Sequence, residues 1–177
     1  MTTSPTPDVA VRTARAADAD GMGAVQAHAW RDGLADTLPA PVLEQFDATT
    51  FAETWRSSLT EPPTPTHRAL VATDAGTIVG LTAVGPTDEP TVGELLLLCV
   101  SPESRRIGHG SRLLNAAVDT LRANDFRELV CWVPLPDEAT QAFIREAGLA
   151  PDGAYRDRVI DDSLTLREIR LGATIDS

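Results

Sequence analysis

Lysine is absent from this chain: all fifteen basic residues are arginine, set against twenty-six acidic ones. The resulting net charge of −11 argues against nucleic acid and anionic membrane as partners, because both repel an acidic surface. It favours a cationic partner such as a polyamine, an aminoglycoside or a basic peptide. Because the acid excess is spread along the chain, it also serves plain solubility. Cysteine is scarce. Cys99 and Cys131 lie inside apolar runs, without a CxxC pair or a histidine at metal spacing, and read as buried free thiols. His28, His67 and His109 are scattered, so no metal site is expected. No window holds the roughly 18 consecutive apolar residues that cross a bilayer. The first residues, MTTSPTPDVAVR, lack a basic stretch followed by an apolar run, so no secretory signal is read and a cytoplasmic location is expected. What is present is 177 residues, 42% of them hydrophobic, enough for one domain with a core.

Residues 1–8 read as a disordered leader. Val9 to Arg15 alternates weakly and predicts a first strand. Asp18 is placed to cap a helix running to about Trp30. Residues 31–38 predict a loop, and Pro41 to Phe46 and Thr50 to Leu59 predict helices. Thr50 and Glu53 have capping-box spacing. The proline-rich stretch Glu61 to His67 cannot be regular structure. A hairpin follows, Arg68–Thr73 and Thr77–Gly85 around Asp74-Ala75-Gly76. Glu94–Val100, ELLLLCV, is apolar after its first residue and predicts a strand covered on both faces. Gly108 and Gly110 open a helix with Leu113, Leu114, Ala117, Val118 and Leu121 at helical spacing. Glu128–Val133 predicts another buried strand. Asp137 is placed to cap a helix through Ala147, stopped by Gly148. Tyr155–Ile160 and Leu164–Leu171 predict a closing hairpin. The order is that of a mixed α/β domain.

The chemistry concentrates in Val100 to Leu114, VSPESRRIGHGSRLL. A buried strand runs into a loop with two arginines and two glycines, then into a helix. The first N–H groups of a helix have no internal partner and sit at its positive end. Glycine at 108 and 110 lets a pyrophosphate approach them and permits positive φ. Arg105 and Arg106 add charge beside that cradle. A lone Gly-x-Gly is weak by itself. The dinucleotide fingerprint needs a third glycine where Leu113 stands, and the Walker loop needs a lysine, so both nucleotide-loop readings fail.

Arg105-Arg106-Ile107-Gly108-His109-Gly110 resembles the R/Q-x-x-G-x-G/A signature of the GNAT superfamily of N-acetyltransferases, in particular a bacterial branch of it. Val130-Cys131-Trp132-Val133 is similar to the family's next strand, and DEATQAFIREAGL, Asp137 to Leu149, to its following helix. The resemblance implies an α/β (α+β) fold: a mixed, mostly antiparallel sheet of about seven strands with about four helices, splayed between the fourth and fifth strands. It implies a single domain over residues 9–173. It also implies transfer of an acetyl group from acetyl-CoA to a primary amine of a small molecule or peptide, by direct attack in a ternary complex. Longer acyl donors such as succinyl-CoA are not excluded, and monomer and homodimer are both open.

By the same resemblance, Leu98, Cys99 and Val100 would grip the pantetheine arm with backbone groups. The N–H of Cys99 or Val100 would face the thioester carbonyl. The amides of Arg106, Ile107, Gly108, His109, Gly110 and Ser111 would hold the pyrophosphate. Asp137, where the family carries asparagine, and Phe143 would adjoin the cofactor. Glu94 would take the amine proton through water. Trp30, Trp55, Phe46 and Phe51 would wall the acceptor or simply pack in the core. The family's usual tyrosine is Ile144 here, and the only tyrosine, Tyr155, lies in a predicted strand. That departure leaves an alternative open: an acyl-CoA-binding module with weak or lost catalysis, acting as sensor or partner subunit.

Overall fold

The structure, a computed structural model, describes residues 8–176. Of the leader expected over 1–8, only Asp8 falls among the described residues; its carbonyl accepts the Ala75 N–H at 2.9 Å. Seven strands, β1 (Val9–Thr13), β2 (Arg68–Asp74), β3 (Thr77–Pro86), β4 (Val92–Val100), β5 (Glu128–Pro134), β6 (Ala150–Asp161) and β7 (Leu164–Thr174), form one sheet in the order β1-β2-β3-β4-β5-β7-β6. Every pairing is antiparallel except β4 with β5. Such a parallel step needs a crossover, and α4 (His109–Ala123) supplies it. Just past β7, Ile175 is buried and its N–H bonds the Arg127 carbonyl at 2.8 Å.

Helices α1 (Ala19–Gly33), the short α2 (Ala40–Leu43) and α3 (Ala48–Thr60) precede β2, and α5 (Glu138–Glu146) follows β5. Met22, Val25 and Ala29 of α1, with Trp55 and Leu59 of α3, pack on Val71, Leu81 and Cys99 of the sheet. On the opposite face Leu114, Ala117 and Leu121 of α4 and Ile144 of α5 pack on Leu129, Cys131, Val133 and Leu171. Each fully buried leucine contributes about 1.5–3 kcal/mol. Gly23 lets α1 and α3 touch: a Cβ there would lie 2.5 Å from the Ala48 carbonyl oxygen.

Two expected caps change. Asp18 does not cap α1; its carboxylate turns back to Arg12 (2.7 and 2.9 Å) and to the Arg15 N–H (2.7 Å). α3 starts before Thr50, because Asp47 accepts from the Thr50 N–H at 2.9 Å and caps it there.

Strand β4 carries two irregularities that shape the molecule. The β3–β4 ladder pairs Val84 with Leu95 and Ala83 with Leu97, so Leu96 is an extra residue, a β-bulge that bends its strand. The β4–β5 ladder runs only from Val92↔Glu128 to Leu95↔Cys131, although both strands continue. Beyond Leu95 they part. Leu96 is 45% exposed, so the run ELLLLCV is not covered on both faces throughout: the bulge turns one leucine outward.

Candidate active site

The parting of β4 from β5 leaves one edge of β4 without a strand partner. The Ser101 N–H bonds the Val79 carbonyl at 2.8 Å on the β3 side. Antiparallel alternation then sends the Cys99 N–H to β3 as well, and the Leu98 and Val100 N–H groups into the seam. Of the two amides expected to face a thioester, Val100 faces the seam and Cys99 does not. The Cys99 side chain is buried, and burial pushes its thiol up to about 12. Cys131 is raised to about 12 for the same reason. Both are free thiols and too weakly acidic to act as nucleophiles.

At the far end of β4 a 3-10 turn, Pro102–Ser104, leads to Gly108, the N-cap of α4, at φ +94°. Among the described residues, nothing accepts from the backbone N–H of Gly108, His109, Gly110 or Ser111; the first bond of the helix runs from Arg112 to the Gly108 carbonyl at 3.1 Å. Four donors thus converge at a helix start, the arrangement that holds phosphate. Gly110 faces α5: a Cβ there would sit 3.3 Å from Phe143 Cζ and 4.0 Å from Val100 Cγ2. Phe143, Gly110 and Val100 therefore meet where the cradle joins the seam. Arg106 adopts φ +64°, and Ile107 is exposed.

Two charged side chains expected nearby are engaged elsewhere. Arg105 donates to Asp32 Oδ2 at 2.6 Å and to the Val100 carbonyl at 3.2 Å, tying the loop to the end of α1. Asp137 caps α5 by accepting the Thr140 N–H at 3.0 Å. The His109 ring is buried under Arg112 Nη2 (3.3 Å to Nδ1), while its Nε2 stands 3.8 Å from Asp74. Burial, then Arg112, pushes its pKa down against the pull of Asp74, and the ring faces inward, away from the exposed loop.

Glu94 lies on the α1 side of β4, where the half-sheet beyond β4 is open. Burial pushes its pKa above the usual carboxylate range. Among charges, Arg156 opposes that rise most, Glu168 adds to it, and Arg158 opposes it. A carboxylate raised in this way is a stronger proton acceptor. Around it stand groups that the sequence did not single out: Glu168, buried and bonded by Arg156 (2.8 Å) and Arg158 (3.2 Å), with Arg156 over the Trp132 ring at 4.5 Å. Their signal was the alternation in Arg156-Asp157-Arg158, which places both arginines on one face of a strand. Trp30, Phe46 and Phe51 pack on one another, with centroids 5.4–6.2 Å apart, and the Trp55 indole bonds Gln26 at 2.7 Å. Ile144 is 1% exposed, inside the core. Tyr155 is exposed under Arg167 on the opposite face from Glu94. Two surface grooves, one along α3 and one between α1 and the β2–β3 turn, are lined by other residues; the candidate site is defined by backbone geometry. Among the described residues, no group of three His, Cys, Asp or Glu side chains could hold a metal ion. No helix there is long and apolar enough to cross a membrane.

The family model described as "Acetyltransferase (GNAT) family" matches residues 27–149. No curated protein matches the chain. Among solved structures, PaiA N-acetyltransferase from Thermoplasma acidophilum, in complex with coenzyme A, is similar with TM-score 0.79 and 16% identity over 94% of this chain and 99% of that one. The Salmonella typhimurium yncA structure, with its cofactor acetyl-CoA, gives 0.68 and 17% over 95% and 94%. Ribosomal-protein-alanine N-acetyltransferase from Brucella melitensis gives 0.69 and 21% over 93% and 99%. At these identities the likeness is one of fold.

Proposed function

Because this chain belongs to the GNAT family of acetyltransferases, we propose that it is an N-acetyltransferase that moves the acetyl group of acetyl-CoA to a primary amine of a small molecule or peptide. One observation carries the reading: four unpaired amides at Gly108–Ser111 open onto an unpaired strand edge that begins past Leu95. The residues fit the cosubstrate. Gly108 and Gly110 keep side chains out of the cradle, and a Cβ at 110 would press on Phe143. The amides of Gly108, His109, Gly110 and Ser111 would hold the pyrophosphate, beside Arg106 and Ile107. The seam-facing N–H groups of Val100 and Leu98 would hold the arm in the manner of an added strand. Bound acetyl-CoA supplies an activated acyl thioester.

Glu94 would accept the proton that the acceptor amine must lose. It sits near the split point of β4, at the opposite end from the cradle, so the reactive end of the arm belongs there. Of the seam amides, Leu98 is the one nearer Glu94 and the stronger candidate to polarise the carbonyl. Arg105 serves by fixing the loop to Asp32 rather than by touching phosphate. The single sheet supports treating residues 9–173 as one acetyltransferase domain. The buried Ile144 favours a second reading, in which the chain binds acyl-CoA without turnover.

Thiol release from acetyl-CoA with a panel of primary amines tests the proposal. Turnover is expected, with an acid limb set by Glu94 that disappears in Glu94→Gln together with about 10²–10⁴-fold of the rate. Calorimetric CoA binding with no thiol release from any amine would favour the binding module.

A further inference from the structure

The half-sheet β5–β7–β6 carries, on the Glu94 side, a cluster that packing does not explain. α1 lies over β3 and β4, with α3 packed against α1. Beyond them, strand pairing sets Trp132 opposite Arg170, Pro134 opposite Glu168, and Glu168 opposite Arg156. Glu168, with 7% of its side chain exposed, accepts from Arg156 and Arg158 through one oxygen, Oε1. Both arginines donate from Nε, and their terminal nitrogens have no acceptor among the described residues. One buried anion therefore positions two half-exposed cations whose terminal nitrogens stay free to donate, and Glu94 is the other acid whose charge these two arginines feel. Arg170 does not share in this excess, because Asp152 holds it at 2.6 Å.

The position of this charge is informative. Arg156 stems from β6, yet its guanidinium lies 4.5 Å from the Trp132 ring on β5. It thus reaches across β7 and ends beside the strand adjoining Glu94. A fixed guanidinium with free N–H groups, an aromatic ring under it and a carboxylate one strand away form a two-ended site: one end for an oxyanion, the other for an amine. We propose that the acceptor is a small amine that also bears an oxyanion, a carboxylate or phosphonate, held by the terminal nitrogens of Arg156 and Arg158 so that its amine is turned toward Glu94. The proposal rests on the acetyltransfer reading and narrows its acceptor. It runs against the bulk charge of −11, which by itself favours cations: Arg156 and Arg158 are two cations held in place on this face.

The test is calorimetric titration of the full chain, with CoA in excess, by the twenty common amino acids and aminoalkylphosphonates, each beside its neutral amide or ester. At least one anionic amine is expected to bind saturably, and its neutral counterpart at least about tenfold more weakly. Arg156→Gln and Arg158→Gln should each erase that preference while leaving CoA affinity intact, which also reports that the fold survives. Arg156→Lys, which keeps charge but loses the fork, should restore part of it. Neutral amines binding as tightly as their acids, or saturable binding by no anionic amine, would overturn the assignment. Thiol release separates it from the broader reading. Charge-selective binding without release removes acetyltransfer and leaves this site, whereas equal release from acids and amides removes this site and leaves acetyltransfer.

Discussion

Replacing Gly108 by valine isolates the phosphate cradle from the rest of the fold. Gly108 caps α4 at φ +94°, ψ 1°, where a β-branched residue is a true outlier. Space is not the obstacle, since a Cβ there meets only the flexible end of Arg112 at 3.0 Å. The cost is backbone strain, about 1–3 kcal/mol, which lowers Tm by roughly 3–10 °C in a chain of this size. Relieving the strain rotates the amides of His109 and Gly110 out of line. Losing two charge-assisted hydrogen bonds of about 1.5–3 kcal/mol each weakens CoA binding about 10²–10⁴-fold. Gly148→Val is the control. Gly148 has φ +104° with nothing within 4 Å of a Cβ and lies past the end of α5, so it should lose comparable stability and no affinity. Thermal melts and CoA calorimetry on both variants decide. Wild-type affinity in Gly108→Val refutes the cradle, and an equal loss in Gly148→Val shows that instability alone weakens binding.

Glu94 has a raised pKa because burial disfavours its anion, so its contribution to stability is fully present below its unfolded pKa and is lost as pH rises through its higher folded pKa. Glu94→Gln should therefore melt slightly higher than wild type at neutral pH while turning over more slowly; a lower Tm would mean that the anion holds the fold together. Asp18 shows the reverse sign: the Arg12 fork, chiefly, holds its pKa below 3.8, so its contribution is present above that pH and fades as pH falls through its folded value. Asp18→Asn should cost about 0.5–1 kcal/mol near pH 7, modest because Arg12 is 35% exposed, with the difference shrinking in acid melts; a constant difference down to pH 2 would contradict the ion-pair origin. Deleting Leu96 removes the residue in excess on β4 and should preserve a cooperative melt while weakening CoA at least tenfold, since an unbent β4 stays beside β5; unchanged affinity would separate the splay from the bulge.

The strand–loop–helix unit was legible because its signals are local: a glycine before α4, and apolar residues at 113, 114, 117 and 121 on the buried face. The roles of individual groups were not, because they depend on partners far along the chain. Arg105 beside two glycines looks like a phosphate ligand until Asp32, 73 residues away, takes its guanidinium. Asp137 and Asp18 both precede helices, yet only Asp137 caps one; Arg12 draws the other away. Glu168 sits in an ordinary Arg-Glu-Ile-Arg strand, and only the pairing of β6 with β7 reveals that two arginines share it.

The run Glu94–Val100 shows why register in particular escapes a sequence. Counting by twos from Glu94 puts Leu96, Leu98 and Val100 on its face. The packing instead gives that face to Leu97 and Cys99, while Leu95, Leu98 and Val100 turn to the α4 side. The ladder is fixed at both ends, Pro86 to Gly93 and Gly80 to Val100, and β4 holds one residue more than β3 between those pairs. Four consecutive leucines hide where the surplus falls, because no polar residue marks the change of phase. Yet that one residue decides both chemical roles proposed for β4. It keeps the Glu94 carboxylate toward the open half-sheet, and it brings the Leu98 and Val100 amides to the seam. A strand without it could match the same hydrophobic pattern, but the bend that separates β4 from β5 would have no cause.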